Sequence, residues 1–196
     1  NDIQVPYMME YLICNNGAIV VTGSIDLTGT KLPELPRFGM RMELHQPYEN
    51  LVYYGRGPFE NYIDRYSSSF IGRYEDKVEN QFYWYTRPQE TGNKTDVRWL
   101  SLLDSEGQGV RITGLQPIAF SALHFSPEDL DPGLTRKLQH TIDIVPQKNI
   151  FLHVDLKQRG LGGDNSWGMY PHNEYRLLDK KYTYSYMIEL VKKNSD

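Results

Sequence analysis

Ile150-Phe151-Leu152-His153-Val154-Asp155-Leu156 alternates apolar residues with its neighbours. Ile150, Leu152, Val154 and Leu156 fall on one side of an extended chain, and Phe151, His153 and Asp155 on the other. Side chains of a strand point to opposite faces in turn, so this spacing predicts a β-strand with one face in a core and His153 and Asp155 on the solvent face. Through Lys157 and Gln158 the strand delivers the chain into Arg159-Gly160-Leu161-Gly162-Gly163-Asp164-Asn165-Ser166-Trp167-Gly168. Glycine lets a loop turn tightly and lets backbones approach closely. A glycine-rich loop can present an indole outward, where its flat apolar face suits the C–H face of a sugar ring. Asp164 and Asn165 beside it bring acceptors and donors for hydroxyls.

The same period of two recurs on both sides of this stretch. Ile19, Val21, Gly23, Ile25 and Leu27 share one face of residues 17–28. Asn15-Asn16-Gly17 reads as a hairpin turn back to a strand over Tyr7–Ile13. Phe38, Met40, Met42 and Leu44 make another strand, and Leu51–Tyr54 is a short apolar run. Further strands are expected over Val78–Tyr85, Val97–Leu103, Val110–Thr113, Ile118–His124, Ile142–Val145 and Tyr182–Val191. Ser126-Pro127-Glu128-Asp129 has the pattern of a helix N-cap with proline in the first turn. Phe59, Tyr62, Ile63 and Tyr66 have helical spacing and predict a short helix after the turn at Gly55–Pro58. About ten strands and no long helix predict an all-β protein, a large antiparallel β-sandwich, with residues 1–196 as a single domain.

Composition narrows the partners. The net charge is −4, with acids and bases interspersed, so no basic stripe favours nucleic acid. No apolar run approaches the roughly 20 residues that span a membrane as a helix. One cysteine, Cys14, rules out an internal disulfide. His45, His124, His140, His153 and His172 show no close metal-ligand spacing. Glu60 and Asp64, four apart, are the nearest thing to a carboxylate pair for glycoside hydrolysis. The adjoining Arg56 and Arg65 point instead to structural ion pairs. Gly163–Gly168 does not match a nucleophile elbow. The 15 tyrosines suit strands and also suit a binding face. Three polar and aromatic loops remain as walls of a ligand site: 55–66, 87–99 and 159–170.

These loops carry a resemblance. Gly55-Arg56-Gly57-Pro58-Phe59-Glu60-Asn61-Tyr62-Ile63-Asp64-Arg65 resembles the G-x-G-P-x-E-N-Y-x-D-R segment of large bacterial β-galactosidases of glycoside hydrolase family 2, in their C-terminal, small-chain (domain 5) region. Pro88–Trp99 is similar to that family's P-Q-E-N-G-N-R-x-D-V-R-W, with Thr91 and Lys94 departing from asparagine and arginine. Gly160–Trp167 is similar to G-x-G-G-D-D/N-S-W. The likeness runs from about Leu32 to Leu190.

The resemblance implies a supersandwich shared with galactose mutarotase-like domains. It also implies that this chain, which begins at Asn1, is an N-terminally truncated piece of a longer one. The substrate expected for the parent is a terminal β-D-galactoside. The catalytic glutamates, and any magnesium or sodium, are expected on a TIM-barrel catalytic domain of the same parent, itself expected to be a homo-oligomer. No cofactor, metal or catalytic residue is expected here, and the isolated fragment is expected to be inactive. Cytoplasm and periplasm both fit. Trp167, with Asp164 and Asn165, is expected to complete the sugar pocket, and Glu60, Asn61, Asp64, Arg65, Glu90 and Asn93 to support it. The alternatives are a carbohydrate-binding or structural assembly module, and an aldose mutarotase-like enzyme using His124 or His153 with a carboxylate.

Overall fold

Alternation becomes strand wherever it is sustained. The computed structural model describes residues 4–45, 47–131, 133 and 139–192. Among them, nine strands form one antiparallel network: β1 (Tyr7–Ile13), β2 (Ile19–Asp26), β3 (Arg37–Leu44), β4 (Asn50–Gly57), β5 (Phe70–Lys77), β6 (Lys94–Leu103), β7 (Gly109–Leu123), β8 (Ile150–Gln158) and β9 (Lys181–Val191). β1 and β2 make the expected hairpin, with Tyr7 opposite Ile25 and Ile13 opposite Ile19.

The long strand β7 creates the layering. Its first half, Gly109–Gly114, pairs with β9, and its last five residues, Ala119–Leu123, pair with β8. The sheet therefore runs β1-β2-β9-β7-β6-β4-β5, while β8 leaves β7 and carries β3 on its far side. This β3–β8 ribbon packs over the tyrosine face of β9. The Tyr184 hydroxyl donates to the Val154 carbonyl at 2.8 Å, and the Phe38 and Tyr184 rings lie 5.5 Å apart, edge to face. Between the layers sit Leu51, Tyr53, Leu100, Ile112, Phe120, Ile150, Leu152 and Val154, all buried. Each contributes about 1.5–3 kcal/mol by leaving water.

Several sequence expectations fail for identifiable reasons. No helix follows Pro58. The chain from 58 to 66 is a bend closed by a two-residue turn, in which Tyr62 and Arg65 exchange backbone hydrogen bonds at 3.1 and 2.8 Å. Tyr62 is buried and Phe59 exposed, so their helical spacing does not mark one apolar face. Val78–Tyr85 is a 3₁₀ turn at Val78–Asn80 followed by irregular chain, and the strand lies just before it, as β5. Ile142–Val145 is not a strand either. A 3₁₀ turn covers Thr141–Asp143, with Ile142 and Val145 exposed. The two expected strands at 110–113 and 118–124 are one, β7. The short helix Pro127–Leu130 forms as expected, capped by Ser126, whose hydroxyl accepts from the Asp129 amide while the Asp129 side chain accepts from the Ser126 amide.

β8 departs furthest from its expected environment. His153 and Asp155 do not face solvent: they are 6% and 0% exposed. β8 is flanked by β3 and β7, and residues of the 87–93 loop cover its outer face, so both of its faces are interior. Gly39 on β3 records the crowding, since a Cβ there would lie 1.8 Å from an Asp155 carboxylate oxygen.

Candidate functional site

The three loops singled out above meet, and Asn61 is where the first two join. It is fully buried. Its side-chain amide donates to the carbonyls of Arg56 and Phe59 at 3.1 and 3.0 Å. Its side-chain oxygen accepts from the Thr95 amide and hydroxyl at 2.8 and 2.5 Å. Asn61 and Asn93 then clasp each other. The Asn61 amide donates to the Asn93 carbonyl at 2.8 Å, and the Asn93 side chain donates to the Asn61 carbonyl at 2.7 Å. The Asn93 side-chain oxygen accepts from Gln158 at 2.9 Å, which ties both loops to the end of β8. A two-donor, two-acceptor side chain can satisfy a non-repetitive backbone that no strand neighbour reaches.

Glu60 is similarly enclosed. One oxygen accepts from the Gly92 amide at 2.8 Å and the Tyr62 hydroxyl at 3.4 Å. The other takes Arg65 at 2.6 Å and the Tyr85 hydroxyl. Both carboxylate oxygens are thus engaged inside the protein, and Arg65 also lies over the Tyr62 ring at 5.1 Å. The helical face proposed for Glu60 and Asp64 does not exist. Asp64 points elsewhere, accepting from the Gly162 amide at 2.8 Å, and so joins the first loop to the third. Gly160 makes this approach possible, because a Cβ there would sit 2.7 Å from the Asp64 carboxyl carbon.

The two departures from the family pattern fall inside this scaffold. Thr91 is buried and its hydroxyl accepts from the Tyr83 amide at 3.0 Å. Lys94 is 1% exposed and donates to Gln81 at 3.0 Å and to the Gly92 carbonyl at 3.1 Å. Burial brings its ammonium down to about 8, against the opposing pull of Glu60 and Asp76.

A second charged group lies on the outer face of β8. Glu90 meets Arg37 at 2.8 Å and His153 at 3.0 Å, and Arg37 also lies 3.0 Å from Asp155. Gln158 bridges Asp155, at 3.2 Å, to Asn93. Burial pushes the Asp155 carboxyl up to about 6, with Arg37 and His153 working against it. Glu90 goes the other way. Its burial raises it, but His153 and Arg37 outweigh that and bring it to about 2. Local spacing does not reveal this group, because alternation assigned His153 and Asp155 to solvent.

The third loop differs in kind. Trp167 is 92% exposed. Its amide donates to the Asn165 side chain at 2.8 Å, a local turn that spends that oxygen on the backbone. Asp164 is exposed and pairs with His172 at 2.8 Å across the loop; Asp164, then Glu174, hold the imidazole above its ordinary range. His172 stood in the sequence without a partner, since an exposed pair eight residues apart leaves no periodic trace.

The histidines of the mutarotase alternative do meet carboxylates. His153 faces Glu90 but is enclosed. His124 faces Glu49 at 3.0 Å and the Asn149 carbonyl at 3.1 Å, beside an open groove of about 460 Å³ that Lys77, Gln147 and Lys148 also line. Among the described residues, no group of three or more metal-ligating side chains comes together. No helix among them is long and apolar enough to cross a membrane.

Comparison with known proteins bears on this arrangement. A family model described as "Beta galactosidase small chain" matches residues 3–188. The chain is 34% identical over 182 residues to a β-galactosidase of Priestia megaterium, covering 92% of this chain and 17% of that protein. To a β-galactosidase of Streptococcus thermophilus it is 33% identical over 190 residues, covering 96% and 18%. To the β-galactosidase BgaC of Bifidobacterium adolescentis it is 35% identical over 164 residues, covering 81% and 15%. The chain thus spans less than a fifth of the length of these relatives.

Proposed function

The chain belongs to the β-galactosidase small-chain family, and from that premise we propose that it is the non-catalytic C-terminal domain of a β-galactosidase. In this reading it completes the sugar pocket of a catalytic domain in the same parent. Trp167 carries the proposal. An indole left almost wholly in water forgoes the roughly 1.5–3 kcal/mol that burying a large apolar side chain releases. It shares its loop with exposed Leu161, Met169 and Tyr170, and exposed apolar residues gathered on one loop mark a surface that something else covers.

Against a β-galactoside the ring offers an apolar platform to the sugar's C–H face, while Asp164 and Asn165 shape the loop and offer polar atoms to hydroxyls. Glu60, Asn61, Asp64, Arg65, Glu90 and Asn93 brace the loops without touching the sugar. The two carboxylates of a retaining double displacement belong to the parent's catalytic domain, where any magnesium or sodium also belongs. Trp167 contributes by orienting substrate and excluding water.

The test is to compare the full β-galactosidase with a version lacking these residues, on an aryl β-galactoside and on lactose. The reading expects turnover to collapse while the remainder stays folded, and expects no hydrolysis by the isolated chain. Equal turnover by both versions favours a binding or assembly module instead. The His124–Glu49 pair beside its groove supports a second reading, an aldose mutarotase-like activity. An anomer-interconversion assay on the chain decides it, with His124→Ala as the control.

A further inference from the structure

Trp167 packs against almost nothing, so its place is inherited from the rest of its loop. The loop leaves β8 through Arg159 and returns through the 3₁₀ turn Asn173–Tyr175. At its neck the Gly160 amide donates to the Tyr175 carbonyl at 2.7 Å. Below that neck lies Glu34, on the connector between β2 and β3. Its carboxylate is 5% exposed and takes one arginine on each oxygen, Arg159 at 3.1 Å and Arg176 at 2.6 Å. The two arginines come from opposite sides of the neck. Both guanidiniums also lie against one ring, that of Tyr170, at 5.5 Å and 4.9 Å from its centroid. Tyr170 is three residues past Trp167 and is itself 60% exposed.

We infer that Glu34, Arg159, Arg176 and Tyr170 form a clamp that fixes where the Trp167 loop stands, with Tyr170 as the positioning residue. Its effect on catalysis rests on the pocket reading above; the clamp itself does not. The geometry separates it from an ordinary surface tyrosine. A solvated arginine has many rotamers to lose, but these two are already held by one buried carboxylate, so less freedom is lost when the ring settles on them. Burial opposes the charge on Glu34, yet Arg176 and Arg159 keep its carboxyl below the ordinary range. An exposed cation–aromatic contact shifts an equilibrium by about two- to fivefold, and two on one ring by about four- to 25-fold. The remaining ties are single hydrogen bonds or exposed pairs: Gly162 to Asp64, Trp167 to Asn165, and His172 to Asp164.

The test measures hydrogen exchange of the amides of residues 161–169 in the full β-galactosidase, together with KM on an aryl β-galactoside. Tyr170→Phe keeps the ring and should match the wild type in both. Tyr170→Leu removes the ring from an exposed position, which spares the fold, and should speed exchange about fourfold or more. Its KM should rise, and the double variant with Trp167→Ala should match Trp167→Ala alone, because Tyr170 acts through Trp167. Wild-type exchange in Tyr170→Leu, or equal acceleration in Tyr170→Phe, overturns the clamp. Additive KM effects in the double variant overturn the claim that it acts through Trp167. Faster exchange with unchanged KM in both Tyr170→Leu and Trp167→Ala leaves the clamp standing and sinks the pocket reading.

Discussion

Asn61 and Trp167 belong to loops joined by one short hydrogen bond, that of Asp64 to Gly162, yet they are placed in opposite ways. Asn61 is fully buried with four side-chain hydrogen bonds, and Trp167 is 92% exposed with none from its ring among the described residues. Hydrophobicity alone would place them the other way round. The amide is inside because an irregular turn needs donors and acceptors that no strand supplies. The indole is outside because its loop is tied down at other points: at Asp64, at Asp164 and His172, and at the neck. One loop stores order and the other presents a surface.

The sharpest way to break this contrast is Asn61→Ala. It strands the Thr95 amide and the Arg56 and Phe59 carbonyls in the interior, and should cost about 3–5 kcal/mol in denaturant unfolding. A loss within about 0.5 kcal/mol means that the clasp of the first two loops is dispensable.

A smaller effect separates the group on β8. Asp155 titrates near 6 when folded and near 3.8 when unfolded, so the folded state binds its proton more tightly, and stability falls as pH rises from about 4 to 6. Glu90 has the opposite sign. It titrates near 2 folded against 4.5 unfolded, so its contribution is full above 4.5 and is lost as pH falls towards 2. Melting temperature should therefore peak between about pH 4 and 5 as far as this pair is concerned. In Asp155→Asn the decline from 4 to 6 should vanish while the acid limb remains. An unaltered profile in that variant removes Asp155 as the cause.

Lys94 gives a related but alkaline signal. Its folded value near 8 lies below the ordinary 10.5, so wild-type stability should climb between about pH 8 and 10.5, and Lys94→Met should flatten that rise. The smallest expected change is in stability at the exposed loop. Trp167→Ala and His172→Ala should both leave the unfolding midpoint where it is, and a clear drop for either places that side chain in the scaffold after all.

Strand placement was legible where one face alone is buried. β2 and β9 show it best, because their alternation survives folding: Val21, Tyr182, Tyr184 and Tyr186 are inside. It was misleading for β8, where the 87–93 loop covers the second face and turns apparent solvent positions into a buried charged group. It failed for 58–66 and 78–85, where side chains such as Asn61 and Glu60 organise the backbone instead of any periodic pattern. Trp167, Asp164 and Asn165 were readable from the glycine run and the family motif. The ties that hold them were not, since Glu34 lies 125 residues before Arg159 and 142 before Arg176. Contacts at such separation have no signature in local spacing.

The exposed ring is the decisive feature of the site. Its most direct test is the steady-state kinetics of the full β-galactosidase carrying Trp167→Ala, on an aryl β-galactoside. If Trp167 is a wall of the sugar pocket, KM rises by about tenfold, roughly 1.4 kcal/mol of lost binding, and kcat falls by less. An unchanged KM, whether kcat collapses or stays the same, contradicts it.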